Sequence, residues 1–369
     1  MLPAQFEIQL IAVVVAVSCA LPGVFLVLRR MAMMSDAISH SILLGIVLAF
    51  FLTKDLASPF LIFGAAITGV LTVSLVELLN RTRLVYEDSA IGLVFPLLFS
   101  IGVILISRHA GDVHLDTDAV LLGELAFAPF DRLMVFDVDI GPKSLYVMGG
   151  ILLVNVVFIV LFYKELKLAT FDSGLATALG FSPWIIHYVL MSLVSLTAVG
   201  AFDAVGSILV VALMIGPPVT AYLLTARLTK MLLLSAIVGA IAAVAGYWIA
   251  HFLDASIAGS MASTIGLIFF LTYLFAPDRG LISQARRRAR QKIEFAVEML
   301  VVHLLNHEGL PEAERECHRD HLHDHLHWNE DFIQKVLKNG EKKSLLRKEN
   351  NYLFLTENGR TLAQKSMTI

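Results

Sequence analysis

Asp36 and His40 lie four residues apart in MMSDAISHSILLGIVLAF, residues 33–50, at the mouth of a long apolar run. If that run is one helix, the two side chains stand one turn apart and project from the same face. A carboxylate oxygen and an imidazole nitrogen so placed offer two donors to a divalent ion such as manganese, zinc or ferrous iron. An ionisable group at the centre of a membrane helix costs at least about 2.5 kcal/mol, so it normally faces a bundle interior or a wet path. At about 1.5 Å per residue, His40 is expected roughly 13 Å beyond Met31, near mid-membrane. The spacing also fits two groups that only hydrogen-bond to neighbouring helices, or an Asp36 that caps a helix starting at Ala37. Two donors leave a coordination shell incomplete, so further ligands must come from other helices.

A second cluster, CHRDHLHDHLH at 317–327, is the densest set of ligand-type residues in the chain. On a helix His321 and His325, or His323 and His327, share a face, and Cys317 precedes His321 by one turn. That spacing suits zinc or a similar ion, and a solvated polar face is the competing reading.

The elements that must hold these groups are set by composition. Of 369 residues 57% are hydrophobic and 16% charged, which a water-soluble domain does not need. Runs long enough to cross about 30 Å of hydrocarbon occur at 8–28, 31–52, 60–79, 89–107, 146–163, 184–201, 205–225, 231–252 and 257–276. The expected fold is an all-α polytopic membrane protein with about nine transmembrane helices. The first run is too long for a signal-peptide core and is expected to be retained. Arg29 and Arg30, Arg81 and Arg83, Lys164 and Lys167, Arg227 and Lys230, and Arg286 to Arg288 occupy alternate connections. The opposite connections carry only Lys54, Arg108, Arg132 and Lys143. The positive-inside rule then puts the N-terminus outside and the C-terminus in the cytoplasm. The link AFDAVG, 201–206, reads either as a tight turn or as a break in one re-entrant element.

Between spans, the acidic loop 108–145 carries Asp112, Asp116, Asp118 and Glu124, candidates for docking on the outer face. The connection 164–183 is too long for a tight turn and holds a short helical pattern, with Leu175, Ala178 and Leu179 on one side and Gly180 as a stop. In the seventh span Gly216, Pro217 and Pro218 must kink or break the helix, a candidate hinge or a plain structural bend. His187, Asp203 and His251 are further polar groups in or near spans. The phosphate-cradling G-x-x-x-x-G-K-[ST] does not occur, so ATP hydrolysis is expected of another polypeptide. After Pro277 the chain turns polar and holds seven of its twelve histidines. The expected division is 1–277 membrane domain, 278–292 basic linker and 293–369 soluble domain. The two cysteines, Cys19 and Cys317, form no disulfide framework.

VFLVLRRMAMMSDAISHSILLGIVLAF, EDSAIGLVFPLLFSIGVILIS, FYKELKLATFDSGLATALGFSP and VGSILVVALMIGPPVTAYLL resemble the permease subunits of the zinc, manganese and iron class of ABC importers. The likeness runs in order from about Phe6 to Pro277. It implies a bacterial inner-membrane transport subunit, not an enzyme, with Asp36 and His40 on the metal path and no permanently bound cofactor. It implies a cargo of manganese first, zinc or iron next. It also implies a cytoplasmic ATP-binding subunit docked on the helix containing Gly174, Leu175, Ala178, Leu179 and Gly180. Its other implied partners are an extracytoplasmic metal-binding lipoprotein and a second permease copy or a sister permease.

The tail resembles the α+β winged-helix domain of metal-dependent repressors of the diphtheria-toxin-repressor class, with FIQKVLKNGEKKSLL as recognition helix and RKENNYLFLTENG as wing. Such small domains bind either nucleic acid or other proteins. An ion-coupled secondary metal transporter and a membrane-anchored metal-responsive regulator are the competing functional classes.

Overall fold

The computed structural model describes residues 4–54, 58, 60–109, 125–135, 138–311 and 313–367, with backbone alone at 87, 109, 135, 138, 314 and 324–326. The acidic docking candidates at 112, 116, 118 and 124 therefore lie outside the described residues. The chain divides into two units, Met1–Ala276 and Pro277–Ile369.

The first unit is a helical bundle. Its helices are α1 (Ala4–Leu28), α2 (Met33–Thr53), α3 (Phe60–Arg81), α4 (Glu87–His109), α5 (Lys143–Leu161), α6 (Tyr163–Phe171), α7 (Ser173–Ala178), α8 (Pro183–Val205), α9 (Ser207–Leu224), α10 (Leu228–Leu253) and α11 (Ile257–Phe275). Among the described residues nine of these are long and apolar enough to cross a membrane, all but the short α6 and α7. The chain is thus a polytopic membrane protein, as its apolar runs predict. A strand pair, β1 (Arg132–Val135) with β2 (Val138–Pro142), precedes α5. Arg132 on this hairpin reaches Glu7 of α1, Nη1 to Oε2 at 3.2 Å, and also pairs with Asp139.

Helix α1 runs through the core, with 67% of its apolar stretch buried against 22% for α5 and for α11. Its buried face packs on α9 and α10, while α2 packs on α3 and α4. Membrane helices gain little from hydrophobic exclusion between themselves, so small residues and interhelical hydrogen bonds decide the contacts. Gly45 of α2 and Gly64 of α3 lie against each other: a Cβ at Gly45 would stand 2.2 Å from the Gly64 carbonyl oxygen. Close by, Thr72 Oγ1 of α3 donates to Ser41 Oγ of α2 at 2.6 Å.

The prolines are accommodated by specific neighbours. Pro22 has no N–H for the Ser18 carbonyl one turn back. Asn155 of α5, 1% exposed, supplies the missing donor, Nδ2 to Ser18 O at 3.1 Å, and gives its second hydrogen to Thr197 Oγ1 of α8 at 2.9 Å. One buried amide thus ties three helices together at a point where α1 needs a hydrogen bond. Gly206, φ 80°, is the single residue between α8 and α9, so the AFDAVG segment forms two helices with a one-residue break.

The second unit contains α12 (Leu281–His307), α13 (Ala313–Glu316), α14 (His321–Leu326), α15 (Glu330–Lys342), the strands β3 (Leu346–Glu349) and β4 (Tyr352–Leu355), and α16 (Glu357–Met367). Its core joins Ala296, Val297, Leu300 and Leu304 of α12 to Ile333, Val336 and Leu337 of α15 and to Leu346 and Leu353 of the hairpin. Asn350 and Asn351 both take positive φ, 45° and 72°, in the two-residue turn between the antiparallel strands, a conformation Asn tolerates well. Most of the basic stretch expected as a linker belongs to α12, whose apolar face begins only at Ala296.

The helical stacking considered for Cys317 and the histidines at 321–327 is interrupted, because the stretch forms two short helices, α13 and α14, with Cys317 between them. The backbone there is engaged by the hairpin instead: His318 bridges Tyr352, Arg319 N donates to Asn351 O at 2.9 Å, and Leu353 N donates to Cys317 O at 3.0 Å. Cys317 and His321 are consequently not stacked on one helical turn.

Candidate metal path and its supports

Helix α2 begins at Met33, and its N-cap position is Ala32, which provides no side-chain cap. Asp36 therefore lies inside the first turn, not at the cap, and its carboxylate meets the favourable end of the helix dipole. His40 is seven residues into a 21-residue helix, about 10 Å from its start. That is a third of the way along α2, which starts at Met33 and not at Met31. The i,i+4 spacing brings His40 Nε2 to 3.4 Å from Asp36 Oδ1, the side chains 30% and 33% exposed. The imidazole lies against Phe95 and Phe99 of α4, at centroid distances of 5.7 and 6.2 Å. Two aromatic rings thus limit the ring's movement, while a third of each ionisable side chain stays open at the surface of the single chain. A carboxylate and an imidazole held this way can accept an ion jointly or share a proton.

Beside the start of α2 is a cavity of about 220 Å³ lined by Met31, Met34, Val73, Val76, Glu77, Asn80 and His187. Glu77 of α3 pairs with Arg81 at 2.7 Å. Glu77 is absent from the sequence-based candidates although a lone carboxylate in an apolar span was the available signal. His187 of α8 lies 3.4 Å from Arg29 Nη1, and Arg29 Nε donates to Thr170 Oγ1 of α6 at 3.2 Å. Burial lowers the Arg29 pKa to about 10, and its Nη2 is buried without a hydrogen-bond partner among the described residues. Arg29 thereby joins the end of α1 to α6 and to the start of α8.

Helix α7 has Asp172 as its N-cap, Oδ1 accepting from Leu175 N at 2.8 Å. Gly180, φ 86°, follows the end of the helix, where Phe181 N donates to Ala176 O at 3.0 Å, closing it in the left-handed manner. Ala176 is buried, whereas Gly174, Leu175, Ala178, Leu179 and Gly180 are exposed, Leu175 at 47% and Leu179 at 58%. With Phe171 exposed as well, α7 presents an apolar face that its own chain leaves uncovered.

Gly216, Pro217 and Pro218 lie within α9, which stays helical through them. A Cβ at Gly216 would meet Ile265 of α11 at 2.1 Å. The Met214 carbonyl, which loses its donor to Pro218, lies where a Cβ on Gly23 of α1 would stand 2.0 Å away. Only glycine at position 23 leaves room for that freed oxygen. Asp203 sits one turn before the α8–α9 break. His251 of α10 stacks on Tyr247, centroids 6.4 Å apart, in a cleft that also takes in Asp254 and Ile8.

In the second unit His321 turns to Glu316, Nδ1 to Oε2 at 3.4 Å. Cys317 packs against the apolar core, where burial first and then Glu308 and Glu316 push its thiol pKa up. His323 and His327 are exposed, and the side chain of His325 is outside the described residues. The structure instead gathers His303, His307 and Glu316. The sequence-based candidates omit His303 and His307; their i,i+4 spacing on α12 was the available signal.

Residues 2–276 match the ABC 3 transport family. The chain is 47% identical over 363 residues to the zinc transport system membrane protein TroD of Treponema pallidum, covering 98% of this chain and 99% of that protein. It is 50% identical over 294 residues to the manganese transport system membrane protein MntD of Bacillus subtilis, covering 79% of this chain and 99% of that protein. The solved structure of PsaBC from Streptococcus pneumoniae in complex with Fab is similar with a TM-score of 0.61 and 30% identity, over 74% of this chain and 92% of that chain. A bundle of nine apolar helices, matched along its whole length and at these identities, makes this chain a member of the ABC 3 transport family.

Proposed function

We propose that this chain is the permease subunit of an ATP-driven importer that carries a divalent transition metal inward across the bacterial cytoplasmic membrane. The observation that carries the reading is the Asp36–His40 pair, held 3.4 Å apart by one turn of a helix with no other ionisable side chain. An oxygen and a nitrogen donor fit manganese, zinc or iron. Manganese and zinc are favoured because they stand in the names of the similar transport proteins.

Two donors do not complete a shell, and both are a third exposed on the single chain. A second permease copy, or a sister permease, placed over this surface brings a second carboxylate and imidazole to the same ion. The uncovered apolar face of α7, with Leu175, Ala178 and Leu179, is the seat of the cytoplasmic ATPase subunit. Arg29 passes movement there to α1 and α8 through Thr170 and His187. Gly216, Pro217 and Pro218 act as the hinge where α9 crosses α1 and α11. Metal arrives from an extracytoplasmic lipoprotein, is held between the paired Asp36 and His40, and leaves inward as nucleotide turnover rearranges the two permeases. The N-terminus lies outside and the second unit inside, a reading that the alternation of basic connections supports. In that unit the order α15, β3, β4 supports a winged-helix reading, with exposed Lys335 and Lys338 on α15.

Uptake of radioactive manganese and zinc by cells expressing the chain with its ATPase and lipoprotein tests this. Uptake is expected to stop when the phosphate-loop lysine of the ATPase is replaced. Uptake that survives that replacement but collapses with an ionophore would assign an ion-coupled transporter instead.

A further inference from the structure

His303 and His307 are four residues apart near the C-terminal end of α12, so their imidazoles leave the same helical face, with ring centroids 4.7 Å apart. Glu316, the last residue of α13, folds back over them: its Oε2 is 3.7 Å from His303 Nε2. One ligand atom from each of the three lies within 4.8 Å of the others. Four-coordinate zinc with bonds of about 2.1 Å needs donors about 3.4 Å apart, so a closure of at most about 1.4 Å converts this cluster into a coordination site.

The surroundings match such a role. The side chains of His303 and Glu316 are 15% and 11% exposed, and Leu300, Leu304 and Leu322 beside them belong to the buried core. Glu316 is thus withdrawn from water, with His303 and His321 both within 3.7 Å of its Oε2. His307 Nδ1 is buried and has no hydrogen-bond partner among the described residues. His321 is an outer support, Nδ1 at 3.4 Å from Glu316 Oε2, the kind of contact that orients a ligating carboxylate.

We propose that His303, His307 and Glu316 form a divalent transition-metal site of zinc type, positioned by His321 and distinct from the Asp36–His40 pair. Two imidazoles and one carboxylate leave the fourth position for water. The bound ion fastens α13 and α14 to the end of α12, so the order of the segment that meets the hairpin through His318 follows the metal supply. The site belongs to the second unit alone and goes beyond the transport reading, which stands or falls separately by uptake.

The test uses the full-length chain in detergent, carrying D36A and H40A so that the membrane pair contributes nothing, with Co2+ as a visible probe. One equivalent of Co2+ is expected to give the intense d–d absorption of a four-coordinate ion, abolished by added Zn2+. The band is expected to be lost in H303Q/H307Q and retained in H323A/H327A. His321→Ala is expected to weaken binding by roughly tenfold or more. Absence of the band in the D36A/H40A chain, or its survival in H303Q/H307Q, overturns the proposal. X-ray absorption of the zinc-loaded D36A/H40A chain needs no change to the second unit. Imidazole and oxygen scatterers at about 2.0–2.2 Å support the site, and a sulfur scatterer at about 2.3 Å overturns it in favour of Cys317.

Discussion

At the scale of single residues, absent side chains matter as much as ligands. The face carrying Asp36 and His40 is fixed by how closely α2 approaches α3, and that approach depends on Gly45 and Gly64, each filling the space of the other's missing Cβ. Gly45→Ala forces a methyl to within 2.2 Å of a backbone oxygen that cannot turn aside. The helices must separate, and the expected loss is about 1–3 kcal/mol in the thermal unfolding of the detergent-solubilised chain. Gly149→Ala in α5 is the control, since a Cβ there meets nothing within 4 Å. It is expected to be neutral or slightly stabilising. The Asp36–His40 pair was legible in the sequence because i,i+4 spacing inside one helix needs no tertiary knowledge. Glu77, a lone carboxylate in an apolar span, and the i,i+4 pair His303 and His307 left local signals, but the meeting of Glu77 with His187 around one cavity and of Glu316 with the two histidines depends on which elements fold together.

At the scale of elements, α7 and the broken tail segment show the same limit. The helix after Lys164 was readable because its signals are local: Gly180 as stop, and Leu175, Ala178 and Leu179 at helical spacing. The stretch from Pro311 to Trp328 has an equally helical pattern, yet its backbone at Cys317 to Arg319 bonds to residues 351–353 instead. A helix-length pattern cannot reveal a competing strand partner more than 30 residues away. Because the α7 face is apolar and uncovered, Leu175→Asp with Leu179→Asp is expected to leave the permease in the membrane at normal levels. Co-purification of the ATPase and metal uptake are both expected to fall at least tenfold, a loss of about 1.4 kcal/mol or more of binding free energy. Unchanged co-purification would remove α7 as the seat of the ATPase.

At the scale of the whole molecule, the nine spans were legible because a bilayer leaves backbone groups few options but helices of about 20 apolar residues. The one-residue break at Gly206 was not, since a tight turn and a re-entrant link look alike in sequence. Basic residues alternate between connections, so a protease tag after Met1 is expected to be cut from outside intact cells, and one after Ile369 only after lysis. Cleavage of the C-terminal tag from outside would invert the direction of transport assigned here. The membrane bundle is the part of the chain that matches the ABC 3 transport family, residues 2–276. The most direct test of the account is metal movement through that bundle. Reconstituted in vesicles with its ATPase, the wild-type assembly is expected to accumulate radioactive manganese or zinc when ATP is supplied. The D36A/H40A assembly, still hydrolysing ATP, is expected to accumulate none above background. Equal accumulation by the two would contradict the assignment of Asp36 and His40 to the metal path.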